Sequence, residues 1–472
     1  MQKVRILLYT DFSKINDNPD PNLETWGLSE LKKFVEYKTR GLIEVEFDFI
    51  SRHVDKQQLT QTFLRQYEEI WMYGMLIDEG PPWELDILEV RALKEWMDNG
   101  GGLFFTGDHS VPLTSDGCKG DHKKFITLGA SLGRFIKRAG ELRVWDGPPT
   151  GCAGGRRDNH NTQEGRDPSQ LDEPHLDEDN TPQTLLDMPD PPHRLFWWRI
   201  EADGCVIPIQ QFPDHGHEGQ LLVPERLSGD WPPGSPPPVV AARGKDKRFP
   251  DNSRLYDLVV AYDGDPVNVG RIVVDSSFHH YFNVNLRQLP DRNANGYPVP
   301  GSILDQVAQY YGNLALWLAP KTIRDQIKDG LLFRAAEHPD IFEVRGNDSS
   351  YLGKVARHAL ELEIGYSNLY RILAPSEFES EPRFRDETRD EILALICLRR
   401  NTYLEFTQGE HEIVLGSMVK AYHEYFMSRG IADPGLLKRE PPLPAMLERG
   451  FTLLLDELPD LDEKLQPLRE RL

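Results

Sequence analysis

Apolar positions along the first hundred residues switch regularly between two periods. Residues 4–9, apolar except for Arg5, end at Thr10-Asp11 and read as a buried strand. Residues 28–37 then carry Leu28, Leu31, Phe34 and Val35 at helical spacing. Residues 43–50 alternate apolar with acidic side chains, the two-residue period of a half-exposed strand near a sheet edge. A polar helix is expected over residues 57–65 and a third strand over 69–73. A stronger helix is expected over 83–97, with Leu85, Leu88, Leu93 and Trp96 on its apolar side. It stops at Asn99-Gly100-Gly101-Gly102, glycines suited to a left-handed helix cap, and a fourth strand follows at 103–106. Strands and helices alternating through short links predict an α/β fold with a doubly wound, mostly parallel sheet. Helices cover both faces, and the carboxyl ends of the strands share one rim.

The rhythm breaks at residues 147–192, which are rich in Pro, Gly, Asp, Asn and Glu and lack apolar periodicity. Taken alone, such a stretch reads as a disordered insertion. Residues 195–211 are strand-like again, and a Pro-rich loop spans 229–238. Residues 255–262 and 271–275 read as two strands of a hairpin around Asp263-Gly264-Asp265-Pro266. The 3.6-residue period returns at 303–318 and closes at Pro320. Beyond residue 330 the pattern is largely helical, over 352–364, 385–399, 411–428 and 446–455. The organisation expected is an α/β domain over residues 1–325 with an insertion at 147–192, followed by an all-α C-terminal domain over 330–472.

A chain of 472 residues, 39% hydrophobic and 28% charged, can build such a core. Its formal net charge of −22 argues against a nucleic acid or an anionic membrane as partner, since both would repel it. The basic group Lys119, Lys123, Lys124, Arg134, Lys137 and Arg138 reads as a solvated helix face. Four cysteines without CxxC spacing fit a reducing compartment and offer no zinc knuckle. No run approaches 18 apolar residues, so a transmembrane helix is not expected and a cytoplasmic location is the default.

Three histidine clusters carry the candidate chemistry. Asp108-His109 follows the fourth strand, and His279-His280 closely follows the strand at 271–275. Ligands of open α/β sheets bind beyond the carboxyl ends of strands, so these clusters can meet in one cleft. An imidazole on a rigid strand end suits proton transfer near neutral pH, and Asp108 could share the cleft or cap a helix. Neighbouring histidines in an extended segment face opposite ways, so only one of His279 and His280 is expected to enter the cleft.

The third cluster is Asp214-His215-Gly216-His217-Glu218. If extended, it turns both imidazoles the same way, where they could share a divalent metal ion with Asp214 or Glu218 as a further ligand. A metal-free polar site and a plain structural loop remain open readings of that run. Asp11, Arg157, Asp158 and Asp214 are candidate substrate contacts. The Gly-x-Ser-x-Gly run at 129–133 lies within helical periodicity and reads as an amphipathic helix, not a nucleophile elbow.

Residues 96–109 and 270–280 resemble two segments of ThuA-like proteins, a branch of the class I glutamine amidotransferase-like superfamily with a flavodoxin-type sheet. Thr-Gly-Asp-His at 106–109, Pro-Asp-His-x-His-Glu-Gly at 213–219 and His-His-x-Phe-Asn-x-Asn-Leu at 279–286 also resemble the motifs of a little-characterised bacterial group. The resemblance spans about residues 1–320 and implies a flavodoxin-like fold and a cleft. It also implies that the 147–192 insertion is an ordered cover over that cleft. Glutaminase chemistry is not implied, because Asp108-His109 occupies the strand end where those enzymes carry a cysteine nucleophile.

Two readings follow. One is a hydrolase or lyase acting on a small polar substrate, with His109 and one of His279 or His280 as general acid and base. In it, His215, His217 and Glu218 bind substrate or a metal ion that activates water. The other is a non-catalytic ligand sensor or scaffold whose helical C-terminal domain engages a protein partner.

Overall fold

A computed structural model describes residues 2–10, 15–17, 26–74, 85, 87–107, 184–189, 192–200, 206–212, 232–246, 255–275, 279–287, 289–337, 355–356, 416 and 419–420. Strands β1 (Gln2–Thr10), β2 (Ile43–Ser51), β3 (Glu69–Gly74) and β4 (Gly102–Gly107) fall where the apolar runs predict them. Helix α1 (Ser29–Lys38) connects the first two, and α2 (Ile87–Asp98) the last two. Next come β5 (Thr184–Asp187), β6 (Trp197–Ile200), β7 (Val206–Pro208) and β8 (Gln211–Phe212). They are followed by β9 (Val239–Asp246), β10 (Leu255–Tyr262) and β11 (Ile272–Asp275). Two long helices, α3 (Ile303–Leu318) and α4 (Lys321–Glu337), complete the described elements.

The main sheet has nine strands in the order β2-β1-β3-β4-β11-β10-β9-β5-β8, and β6 and β7 pair separately. From β2 to β11 every pairing is parallel. This half has the flavodoxin order 2-1-3-4-5, with β11 as the fifth strand. From β11 onward the pairings are antiparallel, beginning with the expected β10–β11 hairpin. The strand-like stretch at 195–211 supplies β6, β7 and β8.

Each face has its own core. On one face, Leu31, Phe34 and Val35 of α1 and Leu304, Val307 and Leu314 of α3 cover Val4, Ile6, Leu8, Trp71, Phe104 and Val273. On the other, Val90, Leu93, Trp96 and Met97 of α2 cover Leu7, Ile70, Met72, Leu103, Phe105, Ile272 and Val274. Alternate strand residues thus feed alternate cores, as the period of two requires. Ala356 and Val419, from the helical C-terminal stretch, join the first core. The remaining helices expected beyond residue 337 lie outside the described residues.

β2 is an edge strand, as its alternation suggests. Glu46 and Asp48 on its polar side pair with Lys3 and Arg5, exposed ion pairs that solvent screens. Among the described residues no helix is long and apolar enough to cross a membrane.

Two helical expectations need correction. Residues 57–65 do not form one helix; short helices Arg52–Asp55 and Gln61–Leu64 flank a non-helical link. Thr60 caps the second through its side chain, which accepts from the Phe63 N–H. Leu88 is not on the buried side of α2 but 68% exposed. Leu85 precedes the helix, so its phase does not carry into it. The buried face is set by Glu89, Val90, Leu93, Trp96 and Met97 instead.

The glycines after α2 act at two levels. Gly100 takes a positive φ of 94°, the left-handed cap that the sequence suggests. At Gly102 an added Cβ would stand 2.1 Å from the Leu318 carbonyl oxygen, so α3 ends hard against β4.

The amino-terminal end of β3 holds an unexpected acid. Glu69 is fully buried; its Oε2 accepts from Trp71 Nε1 (2.8 Å), and its Oε1 has no hydrogen-bond partner. Burial raises its pKa well above the usual 4.5, and the Glu68 carboxylate adds to the rise. The folded protein therefore holds this proton over a pH range in which the unfolded chain releases it. Its contribution to stability is intact below about pH 4.5 and is lost as pH rises through the folded-state value. Glu69→Gln keeps an acceptor for Trp71 and removes the titration. Its melting temperature should match wild type near pH 4 and exceed it increasingly toward pH 8. Parallel melting curves at every pH would refute this.

Candidate functional site

Strand registers place one polar row across the carboxyl rim of the parallel half. Ser51 stands opposite Thr10, Thr10 opposite Tyr73, Tyr73 opposite Thr106, and Thr106 opposite Asp275. Directly paired residues share a face, and this row continues the face that carries Trp71, Phe104 and Val273. All five residues are buried. Below them on this face the strands carry apolar side chains such as Ile6, Leu8, Trp71, Phe104 and Val273, with Glu69 the exception at the far end of β3. The Thr10 hydroxyl donates to the Tyr73 carbonyl (2.9 Å), tying β1 to β3. Those two strands form the point where strand order reverses, the usual ligand position in open α/β sheets.

Asp275 is the centre of the row's hydrogen bonding. The hydroxyls of Tyr281 and Tyr310 both donate to its Oδ2, at 2.7 and 3.0 Å. His280 Nε2 lies 3.4 Å from the same oxygen. Tyr281 belongs to the 3-10 turn His279–Tyr281, and Tyr310 to α3. Burial raises the phenol pKa values of Tyr73, Tyr281 and Tyr310 well above 10, and the Asp275 charge raises each further. All three therefore remain neutral hydroxyls.

His280 is held from three sides. Its Nε2 approaches Asp275, its ring stacks on Phe212 (centroids 4.1 Å, planes 28° apart), and its carbonyl accepts from the Tyr311 hydroxyl. Its side chain is completely buried. His280 therefore faces inward. His279 lies on the same turn, and its side chain is outside the described residues.

Phe212 reaches His280 because the antiparallel half extends past the rim. Asp275 pairs with Val259, so Leu255–Asp257 of β10 lie beyond the row, with Arg243–Lys245 of β9 beside them. β5 pairs with Arg243–Asp246, and β8 pairs with β5. α3 fastens the same region: Asn313 Nδ2 donates to the carbonyls of Leu195 (2.9 Å) and Trp197 (2.8 Å), and Gln306 Oε1 accepts from Gln210 N–H (2.9 Å). Asn283, in the His-His-x-Phe-Asn run, has a structural task. Its Oδ1 accepts from Glu30 N–H (2.9 Å) and its Nδ2 donates to Ser29 Oγ (2.9 Å), capping α1 from 253 positions away.

Asp11, Asp108, His109, Arg157, Asp158, Asp214, His215, His217 and Glu218 lie outside the described residues, as do Cys118 and residues 129–133. The strands that precede three of these groups are described. β4, before Asp108-His109, is the parallel neighbour of β11, before His279-His280. β8, before the 214–218 run, ends at Phe212 against His280. Among the described residues no group of three or more His, Cys, Asp or Glu side chains is disposed to hold a metal ion. Sequence reasoning missed Tyr73, Asp275, Tyr281 and Tyr310. The signal available was a lone acid ending an otherwise apolar strand, together with tyrosines at core positions.

No family model and no curated protein matches the chain. Among solved structures it is similar to a protein from Parabacteroides merdae ATCC 43184 that is named only as ThuA-like. The two are 14% identical with a TM-score of 0.28, over 67% of this chain and 90% of that one.

Proposed function

We propose that the chain is an enzyme, a hydrolase or lyase, that binds a small polar substrate at the carboxyl rim of its parallel half. The observation that carries this reading is the Asp275–His280 unit. A buried carboxylate, two phenols and a stacked phenyl ring fix one histidine and, through it, the turn that bears its neighbour. Active sites depend on such rigid support beneath the reacting group. The reading therefore gives proton transfer to His279 and His109, with Asp108 beside them, and makes His280 a positioning residue. Asp11, Arg157, Asp158 and Asp214 are the proposed substrate contacts. His215, His217 and Glu218 would hold a divalent ion or the substrate itself. The stretch beyond residue 330 is left for a protein partner.

Incubating the protein with a bacterial small-molecule extract tests this by mass spectrometry. Wild type should deplete at least one polar metabolite, and His109→Ala or His279→Ala should slow that depletion by about 10²–10⁴-fold, the usual worth of a general acid or base. His280→Ala should lose stability as well as turnover. If wild type depletes nothing yet is stabilised by a component of the extract, the site is that of a ligand sensor.

A further inference from the structure

Tyr73 stands at the reversal point of the sheet, opposite Thr10 on β1 and Thr106 on β4. Its ring meets Phe104 and Tyr281 edge-on, with centroids 5.9 and 5.6 Å apart, and its phenol senses the charge of Asp275. Unlike the hydroxyls of Tyr281 and Tyr310, the Tyr73 hydroxyl has no hydrogen-bond partner, although the residue is 99% buried. Leaving such a group unpaired inside the protein is unfavourable. Ser51 Oγ, two strands away in the same row, is likewise buried and without a partner. At the amino-terminal ends of the strands Arg271, Asp263 and Asp265 are mutually bonded, and the unpartnered Glu69 Oε1 belongs to a carboxyl that already accepts from Trp71. On the rim, unpaired hydroxyls coincide with the place where open α/β sheets take their ligands.

We propose that the Tyr73 hydroxyl is a ligand-contacting group of the rim site, donating to an uncharged oxygen acceptor. The proposal deepens the rim reading and rests on it. Tyr73 remains a neutral phenol, so it offers a proton to hydrogen-bond, not a negative charge. The Asp275 carboxylate close by repels a ligand carboxylate or phosphate from the same spot. An amide, ketone or hydroxyl oxygen meets both conditions.

The test uses the full chain labelled with 3-fluorotyrosine, with the Tyr73 fluorine signal identified by its loss in Tyr73→Phe. Acetamide and acetate, alike in size but not in charge, are titrated separately to several hundred millimolar. A probe of four heavy atoms binds weakly, which sets that concentration range. The Tyr73 signal should move saturably with acetamide and stay in place with acetate, in wild type and in His279→Ala alike. No movement with acetamide, or equal movement with acetate, overturns the proposal; the hydroxyl then serves only packing or a buried water. Tyr73→Phe should melt no lower than wild type, since it removes an unpaired group. Depletion of an extract metabolite is a separate readout. If Tyr73 responds while nothing is depleted, catalysis fails and the contact stands.

Discussion

Asp275→Ala is expected to lower the unfolding free energy by about 3–5 kcal/mol, because it removes the acceptor that two buried phenols share, leaves them only each other at 3.3 Å, and opens a small cavity. Both Tyr281 and Tyr310 donate to the one oxygen, and His280 Nε2 also faces it. Urea denaturation would show the loss as a lower midpoint with an unchanged slope. Asp275→Asn should lose less than half as much, since one carbonyl oxygen can still accept. A polar cause can be separated from a packing cause. Asp275→Leu combined with Tyr281→Phe and Tyr310→Phe removes donors and acceptor together and should recover most of the stability. If the triple variant is as unstable as Asp275→Ala, the hydrogen bonds are not what the carboxylate contributes. The functional consequence is local. Amide exchange should quicken first at 279–286 and 206–212, because His280 holds Phe212 at the end of β8.

The parts of the fold that were legible obeyed a single period over a full element. Helix α3 is found at Ile303–Leu318, the span its spacing predicts, because nearly all its side chains are buried and the apolar stripe has no competitor. The hairpin of β10 and β11 followed from two apolar runs around a turn rich in Asp, Gly and Pro. The rest depended on contacts between distant residues. Nothing local distinguishes Glu69 from the exposed Glu44 or Glu46; only the approach of α3 against Gly102 makes that end of β3 an interior. Tyr310 occupies a core position of α3, and its period marks it as packing. Its hydroxyl becomes chemistry only because it donates to Asp275, 35 positions earlier, at 3.0 Å. The candidate site was partly legible for the same reason. The motif His279-His280 was visible, but the seat of the His280 ring depends on Phe212, a residue 68 positions upstream by number.

Arg271→Ala should cost a similar 3–5 kcal/mol, for an electrostatic reason at the opposite end of β11. Arg271 Nε and Nη2 grip both oxygens of Asp263 at 2.8 and 3.0 Å, and Nη2 also lies 2.9 Å from Asp265 Oδ2. Its Nη1 donates to the Trp317 carbonyl (3.0 Å), and the guanidinium stands 4.7 Å from the Trp317 ring centroid. Arg324, at the start of α4, clasps both oxygens of Asp265 and donates from Nε to the Ala319 carbonyl (2.8 Å). One network therefore joins the β10–β11 turn to the corner between α3 and α4. Removing Arg271 leaves Asp263, 1% exposed, as a buried carboxylate without its cation, whereas Asp265 keeps Arg324. Lys at 271 should restore little, because a single ammonium cannot reproduce the two-pronged grip or the stacking on Trp317. The decisive comparison is Asp263→Asn in the Arg271→Ala background. It removes the stranded charge while Asn Oδ1 can still accept from the Asp265 N–H, so the double variant should be more stable than Arg271→Ala alone. If the second substitution instead adds its own full cost, the two residues are not coupled and the network does not hold this corner as a unit.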